Sequence, residues 1–133
     1  MALYTALMYY SPDRFWTSPE EAEFAPGYAA FGGEAGAAGV LTYGQALQSA
    51  ETATTVTLGG GQGSELVVTD GPHADAGEVL GGLYMLEVAD RDAANKWAAR
   101  IPAAWRGRVE PRPVVVLGEP PDGFIRHVRS LQA

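Results

Sequence analysis

One histidine stands among three carboxylates in the middle of the chain, and this cluster could transfer protons. His73 follows Asp70 by three residues and precedes Asp75 by two and Glu78 by five. An imidazole titrates near neutral pH and a nearby carboxylate can orient its ring, so the spacing is typical of acid–base catalysis. We predict His73, Asp70 and Glu78 as catalytic residues. The alternative is a surface turn, in which Asp70 accepts backbone hydrogen bonds, His73 has no role and Glu78 is exposed.

Two tyrosines and a further carboxylate are the candidate substrate-binding residues. Tyr9 and Tyr10 are neighbours in an apolar run, and side chains alternate along a strand, so the two tyrosines must point to opposite faces. One of them is expected to line a cleft and the other to lie in the core or in an interface. We predict that Tyr9, Tyr84 and Asp75 bind substrate, with a tyrosine hydroxyl polarising it.

Metal and cofactor motifs are weak in this chain. The chain has 0 Cys, and its two histidines, His73 and His127, lie far apart without a recurring ligand spacing, so we expect no metal site and no cofactor. The glycine-rich segment 59–63 lacks the Lys and Ser/Thr of a phosphate-binding loop, and we predict a hairpin loop there. His127 stands between arginines that could bind an anion or form a solvated helix face.

Charge is distributed unevenly along the 133 residues. Residues 1–90 carry a net charge of -11 and residues 91–133 a net charge of +4, giving -7 for the chain. An acidic chain is a poor general binder of phosphate backbones, so no nucleic-acid partner is expected. The start of the chain does not resemble a secretory signal and no apolar run is long enough to span a membrane. We therefore expect a cytoplasmic protein with no membrane partner. We also predict that the acidic and basic parts of the chain face each other, either within one subunit or between two subunits.

Hydrophobic patterning predicts alternating strands and helices. Strands are expected over the following segments: 3–10, 53–58, 65–69, 83–88 and the proline-containing stretch from Val109. Residues 40–47 are treated as the approach to the second strand. Gly81 and Gly82 open the strand at 83–88 and are expected to permit a bulge or close packing. The order strand, helix, three strands, helix, strand predicts an α+β sandwich with a ferredoxin-like βαββ(β)αβ topology.

Capping residues mark the two main helices. Ser18 begins a capping box, and Gly39 is expected to end the helix. Between them an apolar face follows at spacings of three and four, formed by Phe24, Tyr28, Phe31, Ala35 and Ala38. Prolines and glycines inside this segment, among them Pro26, Gly32 and Gly33, predict a kinked or broken helix. Asp90 is expected to cap the second helix, which a proline ends after residue 101.

The segment 68–84, VTDGPHADAGEVLGGLY, resembles the signature of the YCII-related proteins, specifically the DGPF subgroup. That subgroup typically reads close to VTDGPFAEAKEQLGGYY. Other segments fall in the expected order, so the resemblance covers about residues 3–115. The sequence departs from the pattern at His73, where phenylalanine is usual, and at Gly77, where lysine is usual.

The resemblance implies a dimeric α/β barrel, in which two ferredoxin-like subunits pair their sheets around a cleft. Because the resemblance ends near residue 116, we expect residues 1–116 to form the family domain and residues 117–133 to be an extension. The spacing of Phe124, Ile125, Val128 and Leu131 suits a short helix, which we predict to dock on the domain or on the partner subunit. In one branch of the family a His/Asp pair is proposed as catalytic. The partners expected are therefore a second copy of the chain and a small-molecule ligand.

Two functions remain open from the sequence. The first is a cofactor-free enzyme that performs an isomerisation, dehydration, elimination or cyclisation by acid–base chemistry, in which the histidine introduced into the motif transfers the proton. The second is a non-catalytic module of the same fold that binds a small ligand or regulates a partner. The usual absence of this histidine from the DGPF subgroup favours the second function.

Overall fold

The chain folds into strands and helices of one α+β unit in the computed structural model, which describes residues 1–11, 24–72 and 77–115. The strands are β1 (Ala2–Tyr10), β2 (Leu41–Ala46), β3 (Thr54–Leu58), β4 (Leu66–Asp70), β5 (Val79–Val88) and β6 (Arg108–Pro113). The helices are α1 (Ala25–Ala37), α2 (Arg91–Ala98) and the short α3 (Ala103–Arg106), and a 3-10 turn spans Ala50–Thr52.

The main sheet contains four antiparallel strands in the order β2-β5-β1-β6. The central strand β1 pairs with both β5 and β6, so that Leu7 lies opposite Leu83 on one side and Glu110 on the other. Strands β3 and β4 form a separate two-stranded hairpin inserted between β2 and β5. This arrangement confirms the predicted α+β class and is consistent with a ferredoxin-like fold.

One face of the main sheet carries the core. Every second residue of β1 from Tyr4 to Tyr10 is buried, while the residues between them are partly exposed. The buried set packs against α1 and α2, and its fully enclosed side chains include Phe31, Leu86 and Ile101. Helices therefore cover one face of the sheet, and alternation turns Leu3, Thr5, Leu7 and Tyr9 toward the other face.

Strand β2 is one element of the main sheet that the sequence-based prediction missed. Residues 40–47 were expected only to approach the next strand, but Leu41–Ala46 pairs with β5 as an edge of the main sheet. The sequence LTYGQA has neither a clear alternation nor an apolar run, so its pairing depends on β5 rather than on local pattern. Gly44 has a specific role in this pairing, because a Cβ there would overlap the ring of Tyr84.

A β-bulge interrupts the pairing of β1 with β5. Met8 pairs with Gly82 and Tyr9 pairs with Leu80, so that Gly81 is the extra residue. The sequence placed Gly81 and Gly82 at the opening of this strand and expected a bulge or close packing. The strand in fact begins at Val79, whereas the expected bulge and close packing are confirmed.

Helix α1 is continuous from Ala25 to Ala37, so the predicted interruption by Gly32 and Gly33 is wrong. Pro26 lies in the first turn, where a missing N–H costs no hydrogen bond. The predicted stop at Gly39 is confirmed: its φ is 72°, and the amides of Gly39 and Val40 donate to carbonyls of the last turn. The capping box at Ser18 lies outside the described residues.

The remaining local predictions concern the hairpin, the second helix and the charges. Segment 59–63 lies in the loop between β3 and β4, as predicted. Asp90 caps α2, accepting a hydrogen bond from the amide of Ala93 at 2.9 Å, also as predicted. Ion pairs join the acidic and basic parts of the chain within one subunit: Glu34 with Arg100 and Glu78 with Arg108. Within the described ranges, no helix is long and apolar enough to cross a membrane.

Candidate functional site

A cleft of about 540 Å³ lies at the base of the β3–β4 hairpin, and we refer to it as the hairpin-base cleft. It is bordered by the segment that joins β2 to β3, by the residue after the Asp-Gly turn, and by the start of β5. Its lining residues are Tyr9, Leu47, Gln48, Ser49, Ala50, Thr52, Ala53, Pro72, Glu78, Val79 and Leu80.

A row of side chains crosses the sheet beside this cleft. Tyr9 pairs with Leu80 of β5 and with Arg108 of β6, and directly paired residues in antiparallel strands point to the same face. That face is the one without helices, since Tyr10 is buried on the other side. Tyr9 therefore stands between the beginnings of β5 and β6.

Glu78 and Arg108 form an ion pair that spans β1. Arg108 Nε donates to Glu78 Oε1 at 2.7 Å, although the two residues lie 30 positions apart in the chain. The glutamate side chain is 31% exposed and the arginine side chain is 79% exposed. The pair therefore lies at the solvent-exposed edge of the cleft, where water weakens its electrostatic attraction. The contact fixes one carboxylate oxygen, and the described residues donate no hydrogen bond to the other.

Backbone bonds bring the Asp-Gly-Pro turn to the cleft. The amide of Gly71 donates to the carbonyl of Ala53 at 2.8 Å, and Thr55 Oγ1 donates to the carbonyl of Gly71 at 2.8 Å. Gly71 has a φ of 99°, a conformation that favours glycine. The turn thus extends the hairpin pairing by one residue and places Pro72 in the cleft wall.

A second cleft, of about 510 Å³, lies on the helix-covered side between α1 and strands β1, β2 and β5. We call it the tyrosine cleft, after Tyr10, Tyr28 and Tyr84. The hydroxyls of Tyr10 and Tyr28 are hydrogen-bonded at 2.6 Å. Burial, and to a smaller extent the proximity of Tyr10, raises the pKa of Tyr84 above its ordinary value of 10.0. Its hydroxyl is therefore protonated at physiological pH.

The structure brings together only part of the predicted site. Glu78 and Tyr9 line the hairpin-base cleft, whereas Tyr84 lines the tyrosine cleft on the opposite face. Asp70 is exposed at the end of β4, two residues before Pro72. His73 and Asp75 lie outside the described residues. The prediction that Tyr9 and Tyr10 point to opposite faces is confirmed.

Two functional candidates were missed by sequence reasoning. Arg108 reaches Glu78 because β1 pairs with both β5 and β6 and brings the beginnings of these two strands side by side. The spacing of residues in the sequence does not predict that alignment. Tyr28 belongs to the apolar face of α1, where its spacing indicated core packing. No group of three or more His, Cys, Asp or Glu residues within the described ranges could hold a metal ion.

A comparison with protein families decides the classification of this fold and motif. The model of the YCII-related domain matches residues 2–117. The chain belongs to the YCII-related family. A search of curated proteins finds no match to it. The resemblance drawn from the segment 68–84 is thus confirmed for the family, while the assignment of this YCII-related protein to the DGPF subgroup stays a prediction.

Proposed function

We propose that this YCII-related protein is a cofactor-free acid–base enzyme and that its reaction takes place in the hairpin-base cleft. The observation that carries the proposal is the ion pair of Glu78 with Arg108 on the cleft wall beside Tyr9. The substrate class is a small oxygenated molecule with a C–H bond next to a carbonyl group. Removal and return of that proton underlie isomerisation, dehydration, elimination and cyclisation.

The roles follow from position and chemistry. Arg108 orients the Glu78 carboxylate through Oε1, which leaves Oε2 to accept a proton from the substrate. Tyr9 can donate its hydroxyl hydrogen to the substrate carbonyl. His73 directly follows Pro72, which lines the cleft, and we propose it as the second proton carrier. Asp70 or Asp75 would orient the imidazole.

Deuterium exchange tests this proposal before the natural substrate is known. The full chain is incubated in D₂O with a panel of small carbonyl compounds, including pyruvate, acetoacetate, cyclohexanone and acetophenone, and loss of the α-proton is followed by ¹H NMR. We expect exchange above the uncatalysed rate for at least one compound. Glu78→Gln should lower that rate about 100-fold or more, the usual scale of acid–base catalysis.

Matched variants separate chemistry from folding. Glu65→Gln removes the same charge from the exposed hairpin loop and should leave the rate unchanged. His73→Phe, which restores the residue usual in the DGPF pattern, should lower the rate strongly. An exchange rate equal to that of buffer for every compound, or equal rates in wild type and Glu78→Gln, would refute the proposal.

A second function is favoured by the apolar part of the same cleft. Ala50, Ala53, Val79 and Leu80 contribute to its wall, and an apolar wall with few polar groups is typical of ligand-binding pockets. A non-catalytic module would bind a panel compound, with chemical-shift changes at these residues, yet exchange no proton. The same NMR samples therefore distinguish binding from catalysis.

We also propose that the protein is a homodimer that pairs the helix-free faces of two main sheets. Leu3, Leu7 and Leu83 belong to that face by alternation and are only partly buried in one subunit. The hairpin adds an exposed apolar face whose cross-strand pairs are Val56 with Val68 and Leu58 with Leu66. A lone two-stranded hairpin is marginally stable in water, so a covering partner would stabilise it.

Light scattering after size exclusion tests the dimer. The molar mass of the wild-type protein should be twice the chain mass of 14.0 kDa, and that of Leu7→Asp should equal the chain mass. A monomeric wild type would refute the pairing.

We further propose a cytoplasmic location, and that residues 117–133 form an extension that docks on the domain or the partner. A chain ending at residue 116 should then keep its fold and lose unfolding free energy.

A further inference from the structure

The tyrosine cleft is separate from the proposed catalytic cleft. Tyr9 and Leu80 border the hairpin-base cleft, while Tyr10 and Gly81, their neighbours in the chain, line the tyrosine cleft. The two clefts therefore lie on opposite faces of the same pair of strands. A ligand in one of them does not occupy the other.

The volume and lining of the tyrosine cleft are those of a small-molecule site. A volume of about 510 Å³ falls in the range typical of ligand pockets. Met8, Leu41 and the faces of aromatic rings provide apolar contact, and tyrosine is the only ionisable residue type among the described lining residues. A charged ligand would lose its hydration there without an opposite charge in return, so the lining favours an uncharged ligand.

Tyr84 provides the polar group that would orient such a ligand. Its ring is held by Phe31, with ring centroids 4.9 Å apart, and by the close approach of Gly44. Tyr84 is only partly buried in β5, and it lines this cleft. The hydroxyl is therefore accessible, and as a protonated phenol it can donate one hydrogen bond.

We infer that the tyrosine cleft binds an uncharged, ring-containing molecule whose carbonyl oxygen accepts a hydrogen bond from Tyr84. The rings of the ligand pack between Tyr28 and the apolar floor at Met8. This site does not depend on the proposed catalytic function, since it shares no lining residue with the hairpin-base cleft.

Binding of 1-tetralone, a bicyclic aromatic ketone, tests the inference on the full chain. Dissociation constants are measured by ¹H–¹⁵N NMR titration, with tetralin as the analogue lacking the carbonyl and 1-naphthoate as a charged analogue. We expect saturable binding of tetralone, with the largest amide shifts at Gly44, Gly81 and Tyr84. Tetralin and naphthoate should bind more weakly.

Three variants locate the site and its hydrogen bond. Tyr84→Phe keeps the ring and removes the donor, so the affinity for tetralone should fall about fivefold, the usual effect of one hydrogen bond. Ala46→Phe places a bulky ring at the exposed edge of the cleft and should abolish binding. Tyr4→Phe is the matched control, because Tyr4 is buried farther along β1 and does not line the cleft, and the affinity should not change.

Several results would overturn the inference. They are the absence of saturable tetralone binding, equal affinity of wild type and Tyr84→Phe, and amide shifts that concentrate at Leu47, Glu78 and Leu80. The last result would assign the ligand to the hairpin-base cleft. Loss of proton exchange in Glu78→Gln with unchanged tetralone binding would leave this inference intact, so the two proposals fail separately.

Discussion

The same substitution, glycine to alanine, should have opposite effects at two positions of this protein. At Gly81 a Cβ would overlap the ring of Tyr10, whereas at Gly33 in α1 no atom lies within 4 Å of the added carbon. Neither glycine has a positive φ, so the difference is one of packing and not of backbone conformation. We therefore expect Gly81→Ala to destabilise the fold and Gly33→Ala to stabilise it.

The magnitudes follow from the surroundings of each residue. Tyr10 is 9% exposed, and its hydroxyl is hydrogen-bonded to that of Tyr28 at 2.6 Å. The ring can therefore move away only by disturbing both the packing and this hydrogen bond. Overpacking costs about 1–3 kcal/mol and a lost hydrogen bond about 1 kcal/mol, which gives about 2–4 kcal/mol for Gly81→Ala. Gly33→Ala should add about 0.5–1 kcal/mol, because alanine favours an exposed helix interior.

Urea unfolding followed by circular dichroism measures both free energies of unfolding. A loss of about 3 kcal/mol would also lower the melting temperature by about 10 °C in a chain of this size. A double-mutant cycle identifies the cause: in a Tyr10→Leu background, the cost of Gly81→Ala should fall by at least half. An undiminished cost in that background, or a Gly81→Ala variant as stable as wild type, would refute the reasoning.

Three further predictions concern a helix cap, an ion pair and the pKa of a tyrosine. Asp90→Ala should lower the unfolding free energy by about 1 kcal/mol through loss of the bond to Ala93, and Asp90→Ser should restore most of it in the same urea assay. Glu34→Gln should cost less than about 1 kcal/mol, because Glu34 and Arg100 are both about half exposed; a larger loss in 0.5 M salt would contradict this. Because the pKa of Tyr84 is raised in the folded state, its hydroxyl stays protonated to a higher pH there than in the unfolded state. Unfolding free energy should therefore fall as pH rises above 10.0, and fall less steeply in Tyr84→Phe.

Local signals allowed much of the fold to be predicted. The apolar run that forms β1, the Asp90 cap and the Gly39 stop each depend on residues within a few positions, and all three are confirmed. Strand β2 could not be predicted in this way, because its edge position depends on pairing with β5, some 40 residues later in the chain. Glycines at 32 and 33 were expected to interrupt α1, yet packing of Phe31 and Ala35 against the sheet maintains the helix.

The candidate site was predictable in its residue types but not in its partners. Glu78 and Tyr9 were selected from the motif and from strand alternation, and they line one cleft. The contact of Glu78 with Arg108 and the assignment of Tyr84 to a different cleft follow from sheet register, which sequence spacing does not specify.

The bulge at Gly81 explains why Glu78 reaches this face of the sheet at all. If regular pairing continued from Met8 and Gly82, Tyr9 would pair with Gly81 and Tyr10 with Leu80, and Glu78 would point to the helix-covered face. The extra residue shifts the pairing by one, so that Val79 is buried opposite Tyr10 while Leu80 and Glu78 share the face of Tyr9. In this register Arg108 pairs with Tyr9 on the same face, and the Glu78 carboxylate reaches across β1 to Arg108. Gly81 and Gly82 thus position Glu78, and they also permit close packing against Tyr10. Bulges next to functional sites often redirect side chains in this way.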